Sequence, residues 1–510
     1  MDGLKELIQV ATKNKIKHLE ILGIPSTKKT KVYELYEGII NGNFQTDEEA
    51  AMYFYKKGPS HQSYLNLKSK LRKKLFNTIL FIETAPNDYQ EYQRVMYSIP
   101  RKLAALTILS GKGLFNTTIP YLKKLLAQAI KIELTDSSIE ILKKLRHYYG
   151  TINFNPTLYE QYDSQLNQQL ELLNKEIFVE GLFLKYNQKF LTKKGTKENQ
   201  REEVINYSKQ LKGFISPVNT TKIIFFSALI DIGKNMSLYN FKEVIKISDL
   251  TISLLLEKEY VKPQAVASLL FQKTICLIQL KEYSQGKKTI DQLFTYIKFG
   301  SYNWFKGQEM KMYLFLHTKN YQEAYTTFSE AYAHKTFKKV LLPAHQETWE
   351  IFKAYIHFLI EQGFIQPIKG DTNFKQFRIN RFLNTVPTYS KDKRGANIAI
   401  LVIQIIFSIY QKKYDLMIDR IEAISKYGSR HLRKGENFRS NCFIKMLLEI
   451  PKASFHRAAA ERKVAPLLKK LSKTSLEVAN QTHSIEIIPY EDLWPMVINI
   501  LENKRRWGER

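Results

Sequence analysis

Apolar residues recur three and four positions apart along most of this chain, and few residues interrupt the pattern. That spacing puts one apolar stripe on each helix. It is seen at Leu4, Leu7, Ile8 and Ala11, at Val32, Leu35, Tyr36 and Ile39, and at Ile119, Leu122, Leu125 and Leu126. Sheet-rich chains need frequent turn residues, and this one holds 21 Gly and 15 Pro in 510 residues. The expected fold class is all-α.

Punctuation divides the pattern. Gly23 and Pro25 end a first helix, and Asn41-Gly42-Asn43 closes a second. Thr46 and Glu49 form a capping box, in which each side chain meets the other's backbone N–H. Gly58-Pro59-Ser60 breaks the chain before a helix over His61–Ile82, whose basic face carries Lys68, Lys70, Arg72, Lys73 and Lys74. Pro100 predicts a kink or a break in the helix that follows. Residues 156–192 read as one long helix, or as two meeting near Gly181. Lys193 to Gln200 is the most linker-like stretch, and 363–394 is irregular. Ser484 to Pro489 has the composition of a strand. The expected layout is an N-terminal helical domain over 1–109, then helical hairpins and a long helix over 110–192. Helix pairs over 199–362, further pairs with basic loops over 363–450, and a small mixed C-terminal cap over 451–510 complete it.

One local pattern recurs at the start of second helices. A short polar turn is followed by an aromatic residue, a small or medium residue three on, and then an apolar stripe. It is clearest at Tyr321, Ala324, Phe328 and Ala331, and returns at Tyr283, Gly286, Ile290 and Leu293. Weaker versions begin at Phe115, Phe241 and Tyr414. The aromatic wedges between the two helices, and the small residue lets them approach. One such pair cannot bury its own apolar face, so it must stack on another.

This pattern resembles the second helix of the tetratricopeptide repeat, over residues 100–150 and 220–430. The anchors Phe241, Tyr283 and Tyr321 are 42 and 38 residues apart, longer than that family's usual spacing of about 34. The Trp and Gly-Tyr signature of the family's first helix is largely missing. The resemblance implies a helical-hairpin solenoid whose concave face binds peptides or proteins. In that reading Phe115, Phe241, Tyr283, Gly286, Tyr321, Ala324, Phe328 and Tyr414 are packing anchors, not ligand contacts.

Charge points to a second class of partner. The chain holds 78 basic and 49 acidic residues, a net +29, which favours nucleic acid, an acidic protein or an anionic membrane. The excess is spread: residues 51–150 carry 17 basic and 6 acidic side chains, and residues 351–510 carry 28 and 15. A lysine-rich solvated surface has the same composition. The most concentrated candidate is Lys391, Lys393, Arg394, Arg430, Arg433, Lys434 and Arg439, near one end of an expected helix hairpin. Lys452, Arg457, Arg462 and Lys463 would extend it, and Phe374, Phe377, Tyr389 and Phe438 could stack on bases.

Catalytic and metal chemistry leave no trace at motif level. There is no His-Glu-x-x-His, no phosphate-binding loop and no Gly-x-Ser-x-Gly. His357 lies on an apolar stripe and reads as a core residue, and Asp415 with Asp419 as a solvated ionic face. Cys276 and Cys442 read as buried free thiols in a reducing compartment. The first residues lack an apolar signal, and no apolar run is long enough to span a bilayer. The expectation is a cytoplasmic, non-catalytic scaffold or adaptor without cofactor or metal, whose partner is a protein or peptide. The alternative is a nucleic-acid-binding or regulatory protein using the basic C-terminal surface.

Overall fold

Many of the described helix starts have a local chemical cause. Some begin at a capped or proline-set position. Thr30, Thr220 and Ser301 accept from the backbone N–H three residues on, and Pro263 and Pro343 open their helices. The Thr46–Glu49 capping box is present as expected. Other helices begin directly after a tight turn from the preceding helix. The computed structural model describes residues 1–13, 30–80, 91–192, 197–368, 370–375, 377–379, 381–382, 396–412, 438–473 and 486–502. Among them there is no strand, and the chain is all-α.

The contacts divide the chain into two compact units, 1–171 and 172–510. The division falls inside a helix rather than at the linker-like stretch near 193–200. The first unit holds α1 (Asp2–Lys13), α2 (Lys31–Ile40), α3 (Asp47–Tyr55) and α4 (Gln62–Ile79) around Leu35, Leu67, Leu71 and Leu75. It continues with α5 (Glu91–Gly111), α6 (Phe115–Lys131) and α7 (Thr135–His147), which runs into a π-helical turn at Tyr148–Ile152. Pro100 does not break α5. Ile99, Leu103 and Leu106 stay buried across it, and that packing outweighs the lost backbone bond. α8 (Pro156–Thr192) is one helix of 37 residues with no break at Gly181.

The second unit begins with the latter part of α8 and α9 (Lys197–Gln210). Three helix pairs follow: α10 (Thr221–Ser237) with α11 (Phe241–Leu256), α12 (Pro263–Gln279) with α13 (Tyr283–Tyr296), and α14 (Tyr302–His317) with α15 (Tyr321–Tyr332). Each pair packs internally and against the next, and the first helices α10, α12 and α14 also touch in succession. The unit goes on through α16 (Phe337–Val340), α17 (Pro343–Glu361), α18 (Thr372–Lys375) and α19 (Ala396–Tyr410). It ends with α20 (Phe438–Lys452), α21 (Arg457–Lys473) and α22 (Tyr490–Glu502). One apolar core runs from α14 to α22 and includes Phe305, Phe328, Trp349, Phe407, Phe443 and Leu493.

Residues 486–489 form a bend rather than the expected strand. Their polar groups are committed elsewhere: the Glu486 carbonyl accepts from His317, and its carboxylate accepts from the Tyr490 N–H that opens α22. Pro489 has no N–H to give a ladder.

One turn geometry recurs among the described residues. It joins α5 to α6, α6 to α7, α10 to α11, α12 to α13 and α14 to α15. Its middle residue is left-handed: Gly113, Glu133, Tyr239, Lys281 or Lys319, with φ between 58° and 75°. The next residue closes a bond back to the carbonyl five earlier, as in Glu282 N–H to Leu277 O and Asn320 N–H to Phe315 O, at 2.8 and 2.9 Å. These are Schellman turns, which normally favour glycine in the left-handed place. Lys281→Gly should therefore stabilise the second unit by about 0.5 kcal/mol, relieved backbone strain outweighing an exposed ion pair. A lower melting temperature than the parent's would contradict it.

Candidate functional site

The repeated turn sets two positions in each following helix. Three residues after the helix starts stands a buried small or medium side chain: Thr118, Ser138, Val244, Gly286 or Ala324. A Cβ on Gly286 would lie 3.2 Å from Leu314 Cδ1, so the helices approach closely there. In four of these helices the first residue is the aromatic anchor, and in α7 it is Thr135. Phe241 and Tyr321 are buried, while Phe115 and Tyr283 are half-buried. Phe328 is fully buried against Trp349 and Tyr332. Tyr414, Asp415 and Asp419 lie outside the described residues.

The largest polar constellation of the second unit lies beside these turns, and it is built around Arg439. This residue was expected on an anion-binding surface, and the structure corrects that: its side chain is 0% exposed. Nε and Nη2 bond the two oxygens of Glu486 at 2.7 and 3.0 Å. Nη1 and Nη2 bond Glu491 at 3.0 and 2.5 Å, and Nη1 also reaches Leu471 O at 3.0 Å. A guanidinium so enclosed has nothing left for a phosphate. It holds its proton more tightly than usual despite burial, because two carboxylates face it. Burial pushes the Glu486 carboxyl up against the pull of Arg439. Burial also pushes Glu491 up, but there the guanidinium wins and the carboxyl sits below its ordinary range.

The knot ties the segment before α22 to two successive turns of the repeat. Lys281, the left-handed residue between α12 and α13, lies 3.5 Å from Glu491. Lys319, its counterpart between α14 and α15, lies 2.9 Å from Asp492. His317, buried at the end of α14, is 2.6 Å from Glu486 O through Nε2, and its Nδ1 is 3.5 Å from the Tyr283 hydroxyl. The Nε2–H tautomer fits both contacts. Tyr490 stacks on Phe443 at 4.3 Å and shares a hydrogen bond with Ser440.

Burial lowers the His317 pKa from 6.5 to about 4, against the pull of its bond to Glu486, with Lys281, Asp492 and Arg439 also facing it. An unfolded chain therefore binds a proton between those values that the folded chain refuses. The stability His317 contributes is complete above pH 6.5 and is lost as pH falls towards 4, by up to about 3 kcal/mol. His357, also lowered to about 4 by burial, acts in the same sense. His317→Gln should flatten the fall in melting temperature between pH 7 and pH 4.5; an unchanged slope would show that His317 does not titrate there.

The other members of the expected basic surface, Lys391, Lys393, Arg394, Arg430, Arg433 and Lys434, lie outside the described residues, as does Tyr389. Of the aromatics expected to stack on bases, Phe374 is buried, Phe377 packs against His357 at 4.5 Å, and Phe438 is exposed. Cys276 and Cys442 are buried and free, and burial pushes the Cys276 thiol up to about 12. Among the described residues, no group of three or more His, Cys, Asp or Glu could hold a metal ion, and no helix is long and apolar enough to cross a membrane.

No family model matches this chain, and no curated protein or solved structure is significantly similar to it.

One further row emerges only from the fold. The first helices of the three pairs are largely buried, yet neighbouring ones keep half-buried apolar residues at matching places, with buried Gly233 and Glu309 in the corresponding places on α10 and α14. Leu229 and Phe271 stand ten residues before the left-handed turn residue, and Ile275 and Tyr313 stand six before it. Phe271, Ile275 and Tyr313 flank one small core of Ile278, Ile290, Met310 and Leu314. The sequence signal was the 38–42-residue period of the anchors, which is hard to extend to first helices that carry no signature of their own.

Proposed function

We propose that the protein is a non-catalytic interaction scaffold, built of tetratricopeptide-like helix pairs, that docks another protein through the first helices of those pairs. The observation that supports this is the set of half-buried apolar residues Leu229, Phe271, Ile275 and Tyr313, paired in register between α10 and α12 and between α12 and α14. Half-buried apolar side chains at repeat spacing suit an apolar stripe on an amphipathic partner helix. The scaffold has its own internal clamp. The knot of Arg439, Glu486 and Glu491 is structural in this reading, since its polar groups are occupied by one another and by the repeat turns.

The test is affinity purification of the tagged protein from its own cells, with and without nuclease, for the parent and for Phe271→Asp. The reading expects a defined protein partner that survives nuclease and is lost from a Phe271→Asp protein of near-parent melting temperature. Partners that disappear with nuclease in the parent would transfer the function to a nucleic-acid surface. If the aspartate variant fails to fold, Ile275→Ser carries the same test with a smaller perturbation.

A further inference from the structure

α4 in the first unit has two faces of different character. Tyr64, Leu67, Leu71, Leu75 and Thr78 are buried against α1–α3, and Asp47 fastens this side through Tyr64 at 2.6 Å and Lys68 at 2.7 Å. The helix carries five cations, Lys68, Lys70, Arg72, Lys73 and Lys74, and no acidic residue. Lys70, Arg72 and Lys73 are exposed and form no ion pair with the described residues.

The same outward face carries apolar side chains. Leu65, Ser69, Arg72 and Phe76 follow one another at helical spacing, and Leu80 continues the line at the C-cap. Phe76 is 55% exposed, and Leu65 and Leu80 are also open to solvent. Two unlike chemistries thus share one stripe. A nucleic-acid backbone would use the cations and leave the leucines unexplained. An acidic amphipathic protein helix seats its apolar face in a groove, whereas this stripe lies on the outward face of a single helix. An anionic bilayer surface uses both. Its head groups meet the lysines and the arginine, and Phe76 and the leucines enter the boundary with the acyl chains.

We propose that the outward face of α4 docks the first unit onto an anionic membrane surface, with Lys70, Arg72 and Lys73 on the head groups and Leu65, Phe76 and Leu80 in the interface. The attachment is peripheral and reversible, because a few cations and three apolar side chains supply it. It weakens as salt rises, since the charges meet at an exposed surface.

Co-sedimentation of the full chain with vesicles tests this. Vesicles of phosphatidylcholine mixed with phosphatidylserine are compared with phosphatidylcholine alone at physiological salt. The parent should bind only the mixed vesicles. The triple variant Lys70→Glu, Arg72→Glu, Lys73→Glu should lose about a hundredfold in affinity, from a factor of roughly five for each cation removed. Phe76→Ser should lose several-fold with no change in charge. Because the whole chain is basic, Lys287→Glu, Lys288→Glu, Lys338→Glu serves as a control of equal charge in the second unit, and it should bind nearly as the parent does. Absence of binding by the parent, or an equal loss in the control, overturns the proposal. So does a duplex of DNA or RNA that displaces the parent from vesicles and is bound equally well by Phe76→Ser.

Discussion

Arg439→Met should lower the stability of the second unit by about 3–5 kcal/mol. The loss follows from what the substitution leaves behind. Glu486 is almost wholly buried and Glu491 partly so, and both have Arg439 as a bonded cation. Without it, Glu486 must either take up a proton or remain charged in an apolar surround, and each course costs free energy. The polar links from segment 486–492 to the repeat are then His317, Lys281 and Lys319, beside its apolar packing. Thermal unfolding followed by circular dichroism measures the effect. A second variant separates the worth of the pair from the cost of breaking it. Arg439→Met with Glu486→Met removes the buried charge together with its partner, and should recover much of the loss. A melting curve for Arg439→Met that overlays the parent's would show that the knot carries no stability.

Ala324→Arg is the second large effect. Ala324 is fully buried three residues into α15, where small and medium residues recur after the repeated turn. It belongs to the core that holds Phe305, Phe328 and Trp349. An arginine there overpacks the helix contact and brings in a charge with no partner. The expected loss is more than about 2 kcal/mol, and the fold need not survive it. Ala324→Gly is the control, since Gly286 fills the corresponding place on α13; it should cost only about 1 kcal/mol through helix propensity. Equal melting temperatures for the arginine variant and the parent would remove the reason for treating these positions as repeat contacts.

The parts of this protein that could be read from its residues are those set by neighbours in sequence. Helical spacing and the scarcity of turn residues indicate the all-α class, and Thr46 with Glu49 indicates its own helix start. The recurring turn was only half legible. Its aromatic and small residues stand in sequence, but after α6, α10, α12 and α14 its left-handed residue is glutamate, tyrosine or lysine, where glycine would have announced it. Helix α5 runs unbroken through Pro100, where a kink or a break is expected, because its packing overrides local preference, and residues 486–489 bend because their polar groups are bonded elsewhere. Arg439 was misplaced because a cation in a basic stretch looks exposed. Its two carboxylates are 47 and 52 residues away, and no spacing rule joins them. The exposed face of α4 was legible in its charges, but its apolar members were not. Only the fold shows which of the helix's leucines are left outside the core.

The contact between His317 and Glu486 spans 169 residues of chain, and the one between Lys281 and Glu491 spans 210. This separation bears on how the protein is made. α14, α17 and α19 leave the ribosome well before the segment that lies against them. During that interval Tyr313, Tyr355 and Phe407 lack part of the surround they have in the finished fold, and long-range closure of this kind is slow. A transcript broken, or a ribosome stalled, before residue 486 would yield a chain that lacks α22 and keeps an uncovered aromatic surface. Such a chain would be a natural client for chaperones and proteases, because the aromatic surface is covered only once α22 has been made.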